Sequence, residues 1–89
     1  MTEFIDDDPG YLAWIGNNPN GYVINAYKRT DPNYLMLHKS TCSDISTEQR
    51  NNWTTTQYKK ICSVNRKDLI LWAANTVSGT VTCCKHCNP

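Results

Sequence analysis

The chain has 89 residues, five cysteines, three tryptophans and a formal charge of +1, enough for one domain with a modest core that benefits from a covalent or metal staple. An odd cysteine count forbids complete pairing within the chain. No apolar run approaches the roughly 18–20 residues of a membrane span, and "MTEFIDDDPG" lacks the basic flank and apolar stretch of a secretory leader. A reducing cytoplasm is therefore the expected compartment, and there clustered cysteines hold metal more often than they form disulfides.

Charge is unevenly placed. Glu3, Asp6, Asp7 and Asp8 lie in the first eight residues, so the rest carries nine basic against four acidic side chains, a balance of +5. That excess favours an anionic partner. "DDDPGYLAWIGNNPNG" reads as a short helix with Asp8 as its cap, Pro9 in the first turn and the Asn-Pro-Asn-Gly cluster as its end. The acidic run then lies at the positive end of the helix dipole.

"GYVINAYK" is rich in β-branched and aromatic residues and predicts a strand. "RTDPN" is a turn, and "NYLMLHK" is the returning strand of a hairpin that delivers His38 to its far end. "STEQRNNWTTTQ" reads as a loop insertion, and "TQYKKICS" as a third strand. "NRKDLILWAANTV" is a helix with Asn65 as N-cap, and Leu69, Trp72, Ala73 and Val77 share its buried face. "SGT" ends it before a cysteine-rich tail. The expectation is one small zinc-stapled α+β domain over 1–89, in the order α-β-β-β-α, with 1–19 as the helical N-terminal segment and 20–89 as the zinc-binding module.

Two short motifs carry the chemistry: His38-x3-Cys42 at a strand end, and Cys84-x2-Cys87 followed by Asn88-Pro89. A Cys-x2-Cys turn aims two sulfurs at one cation, and zinc takes four nitrogen or sulfur ligands in a tetrahedron. His38, Cys42, Cys84 and Cys87 are the candidate ligands of a closed, structural Zn2+ site. Cys62 reads as a core residue, and His86 as exposed. Cys62 or Cys83 is the replacement should one of the four fail.

"LHKSTC" followed by "CCKHCNP" resembles the metal-binding domain of Ada DNA-repair proteins, and the Ada-like zinc modules attached to bacterial nucleases. The resemblance covers about residues 34 to 89, through Leu37, His38, Cys42, Cys84, Cys87 and Pro89. It implies a DNA-binding accessory module, with a nuclease or other protein as partner. In Ada the first ligand is a cysteine whose zinc-bound thiolate accepts a methyl group. Here that position is His38, so methyl transfer is not implied.

Candidate phosphate contacts are Lys28, Arg29, Lys39, Lys59, Lys60, Arg66 and Lys67, the last pair beside a helix N-terminus. The alternative is a protein-interaction adaptor or small inhibitor in which zinc is only a staple. Tyr11, Trp14, Trp53 and Tyr58 would then form an aromatic contact surface, and the Met start and short length suit a free-standing adaptor. Catalysis is not expected. No phosphate-binding glycine loop or nucleophile elbow occurs, and Asp31, Asp44, Glu48 and Asp68 are scattered along the chain.

Overall fold

Period-two alternation in the central strand decides the architecture. In Tyr22–Tyr27, Val23 packs into one apolar cluster, while Ile24 and Ala26 pack into another. The strand is buried on both faces, and a helix covers each. The computed structural model describes residues 1–46 and 52–89. Its element order is β1 (Thr2–Phe4), α1 (Asp8–Asn17), β2 (Tyr22–Tyr27), β3 (Leu35–Lys39), β4 (Tyr58–Ser63), α2 (Arg66–Trp72) and β5 (Thr82–Cys83). The five strands form one sheet in the order β1-β4-β2-β3-β5. All pairings are antiparallel except that of β3 with β5.

The fold class is α+β, as expected, but the order differs by two short edge strands. β1 and β5 have three and two residues, too few to display a period. Each exists because a long neighbouring strand offers free backbone groups: β4 for β1, and β3 for β5.

The hairpin β2–β3 pairs Val23 with His38 and Ile24 with Leu37. Its turn is closed by Asp31, whose carboxylate accepts from the Asn33 amide at 2.8 Å. α2 begins at Asn65, whose side chain accepts from the Lys67 amide at 3.0 Å. The predicted stripe is borne out: Leu69, Trp72 and Ala73 are buried with Ile24, Leu37 and Ile61, and Val77 packs against them. The last turn, Ala73–Val77, is π-wound and stops at Ser78 in the left-handed region (φ 58°).

The acidic run differs in detail. Asp7, not Asp8, caps α1, accepting from the Gly10 amide at 2.9 Å. Asp8 reaches instead to the 53–54 segment, accepting from the Trp53 and Thr54 amides at 3.0 and 2.7 Å and from the Thr54 hydroxyl at 2.7 Å. Burial raises its pKa, but these hydrogen bonds together outweigh that and hold the carboxyl below its ordinary value. Part of the expected insertion, residues 47–51 with Glu48, lies outside the described residues.

Candidate metal centre

Strand geometry puts His38 on the α1 face of the sheet. It stands opposite Val23, whereas its neighbour Leu37 points to the α2 face. After β3 the chain turns tightly, with the Cys42 amide donating to the Lys39 carbonyl at 3.0 Å and the Ile45 amide to the Cys42 carbonyl at 3.1 Å. That turn brings Cys42 back beside His38. The buried phenol of Tyr11 on α1 holds it down, donating to the Ile45 carbonyl at 2.7 Å.

The second pair arrives through β5. Met36 pairs with Thr82 and Leu37 with Cys83, and the Cys84 amide continues the ladder by donating to the Leu37 carbonyl at 2.9 Å. Cys84 then faces the α1 side, and the knuckle closes with the Asn88 amide on the Cys84 carbonyl at 3.0 Å. Asn88 is left-handed (φ 49°), a conformation asparagine tolerates better than most residues.

One ligand atom each from His38, Cys42, Cys84 and Cys87 lies within 4.8 Å of all the others. Cys42 Sγ and Cys84 Sγ are 3.9 Å apart, against about 3.8 Å for two sulfurs on a tetrahedral zinc with bonds of ~2.3 Å. The four side chains can hold a metal ion, and three of them are buried. His38 Nδ1 is buried with no hydrogen-bond partner among the described residues. An unpartnered buried ring nitrogen beside three thiols fits a coordinating role for these residues. Burial also lowers the His38 pKa, favouring the neutral ring that coordinates. Burial pushes the Cys42 thiol up to about 12, so only a cation would make it a thiolate near neutral pH.

Around the four lie supporting groups. The Lys39 amide donates to Cys87 Sγ at 3.3 Å. Asp44 contacts Cys84 Sγ at 3.5 Å and His86 Nδ1 at 2.7 Å, and the His86 hydrogen bond holds its carboxyl below the ordinary range. The sequence reading gave Asp44 no role. Its place two residues after Cys42 was the available signal. His86 is exposed, as expected. Cys62 is fully buried in the same apolar cluster as Cys42 and Cys84 but is not one of the four grouped ligands, and burial pushes its thiol up to about 12. Cys83 is exposed, with an Arg66 guanidinium nitrogen 3.5 Å from its sulfur.

The candidate phosphate contacts divide. Arg29, Lys39, Arg66 and Lys67 are exposed. Lys28 is ion-paired with Asp6 at 2.6 Å. Lys59 and Lys60 are buried, contrary to the expected surface position, because β1 and the 53–54 segment cover β4. Lys59 pairs with Glu3 at 2.5 Å, and Lys60 donates to Asn25 Oδ1 and the Trp53 carbonyl at 2.7 and 2.8 Å. Neither presents an ammonium to a phosphate on the outer surface. Lys85, not among the expected contacts, is exposed inside the knuckle. The expected aromatic surface also shrinks, since Tyr11 and Trp53 are core residues. Among the described residues no helix is long and apolar enough to cross a membrane. Comparison with protein families, with characterised proteins and with solved structures finds no match.

Proposed function

We propose that the chain is a non-catalytic, zinc-stapled module that contacts DNA as a recognition or accessory part of a DNA-processing or defence system. The donor set supports zinc: three thiols and an imidazole suit a soft, tetrahedral cation, and four protein ligands leave no open position for a reactive water. The likeness of the His38-x3-Cys42 and Cys84-x2-Cys87 frame to Ada-like modules supports the DNA reading.

One arrangement carries it. Exposed cations flank the candidate ligands in three segments: Lys39 follows His38, Lys85 lies within the knuckle, and an Arg66 guanidinium nitrogen lies 3.5 Å from the sulfur of Cys83, next to Cys84. Three cations meeting phosphates give a salt slope of about −2.7 for duplex DNA. The test is binding of a labelled duplex across a salt series, with wild type and with Lys39→Ala, Arg66→Ala and Lys85→Ala. Each substitution should reduce the slope by about one. Salt-independent binding, or none at low salt, refutes the reading. Recovery of a protein partner after nuclease treatment would then favour the adaptor reading.

A further inference from the structure

On the α1 face of the sheet a cavity of about 690 Å³ runs from the metal centre toward the turn end of the hairpin, where Tyr34 and Tyr58 lie. That volume lies within the ~300–1,000 Å³ of small-molecule sites. His38 and Cys84 line its end at the metal centre, and the other lining residues lie outside the group of four candidate ligands. We propose that this cavity receives a single unstacked nucleobase, so that the module reads single-stranded or extruded nucleotides. The inference rests on the nucleic-acid reading above and specifies its ligand.

Three features of the lining select that ligand. The first is aromatic. Tyr34 and Tyr58 line the cavity, and with Tyr27 they form a cluster with ring centroids 4.8 to 5.9 Å apart, Tyr58 stacked on Tyr27 and Tyr34 tilted against both. Such a platform extends naturally to one more planar ring, and base–aromatic stacking does not depend on base identity. The second is carboxamide chemistry. Gln57 and Asn52 reach the lining from one rim. Each amide offers a donor beside an acceptor, the pattern that pairs with the edge of a base. The third is charge. Lys60 is among the lining residues, its ammonium donating to Asn25 Oδ1 and the Trp53 carbonyl. Lys85 lines the opposite rim, and Asp44, the acid of the lining, is held by His86. A sugar-phosphate leaving the cavity toward the knuckle would therefore run past Lys85. A paired base inside a duplex cannot enter such a cavity, so the strand must be open there.

The experiment compares two short fluorescent oligothymidylates, one intact and one carrying a single abasic position, by anisotropy with wild type, Tyr34→Leu, Gln57→Ala and Lys39→Ala. Wild type should bind the intact strand roughly 5–100-fold more tightly than the abasic one. Tyr34→Leu and Gln57→Ala should bring that ratio toward one, while Lys39→Ala weakens both strands and preserves it. The ratio is taken within one protein, so partial loss of folded material does not mimic the effect. Salt-dependent binding with equal affinity for both strands overturns the cavity inference and leaves the DNA reading standing. If no strand binds, thymidine monophosphate is added while the Tyr34 and Tyr58 ring resonances are followed. Shifts confined to the cavity then retain a nucleotide site and overturn the DNA reading, and unchanged spectra overturn both.

Discussion

Removing the metal should cost this protein a large part of its stability, and the cost follows from chain connectivity. Cys42 and Cys84 are 42 positions apart, and one cation held by the four candidate ligands would join the segments that carry them. Closing a loop of that length removes about 13 cal/mol/K from the unfolded chain, or about 4 kcal/mol at room temperature. Domains of this size are stable by only about 5–15 kcal/mol in total. With an unfolding entropy on the order of 0.2 kcal/mol/K for a chain this long, that loss lowers Tm by about 20 °C. The assay is thermal melting followed by circular dichroism on reduced protein, as purified and after equilibration with a strong chelator, with metal content measured on both. Cys84→Ser supplies the genetic counterpart, since it deletes one arm of the crosslink. A Tm that moves by less than about 5 °C when the metal is gone would refute the reasoning, because the two segments would then be joined by contacts that need no cation.

Three further outcomes are expected. His38→Ala should abolish stoichiometric zinc, whereas Cys62→Ser should keep it while lowering the urea midpoint by an amount worth about 1–3 kcal/mol, since a hydroxyl replaces a fully buried thiol; the reverse metal contents would move the fourth ligand to Cys62. Titrating zinc into reduced apoprotein at neutral pH should release protons, Cys42 contributing one, because burial holds Cys42 protonated without a cation while His38 is already neutral; an indicator dye reporting no release would contradict thiolate ligation by Cys42. Asp8 titrates below its ordinary value in the folded chain, so its contribution is present above the unfolded-state pKa and is lost as pH falls through the lower folded one. Urea midpoints from pH 5 downward should therefore decline less steeply in Asp8→Asn than in wild type, and parallel declines would remove Asp8 from the acid response.

The long elements were legible because each carries a local signal. Asn65 caps α2 where its side chain has the Lys67 amide to satisfy, and Leu69, Trp72 and Ala73 recur at helical spacing. The ligand set was legible for a similar reason, since Cys-x2-Cys and His-x3-Cys are short-range geometries. What escaped depends on distant partners. β1 has no period of its own and is defined by Thr2, Glu3 and Phe4 lying opposite Cys62, Ile61 and Lys60. With that strand unread, nothing in the sequence shows what covers β4, and Lys59 and Lys60 read as phosphate contacts. With β1 in place, Lys59 pairs with Glu3 and sits 5.9 Å from the Trp72 ring centroid, its stem serving as apolar cover. The cavity was equally illegible, because its lining comes from the hairpin, the 52–58 segment and the knuckle at once.

The short parallel pairing of β3 with β5 has a consequence out of proportion to its size. Side chains on an extended strand alternate faces, so a slip of a single residue between Leu37 and Cys83 would exchange the neighbours Cys83 and Cys84. The thiol that now faces solvent beside Arg66 would turn inward, and the thiol now grouped with His38, Cys42 and Cys87 would turn out. Two chemically identical groups stand side by side, and a pair of backbone rungs arbitrates between them.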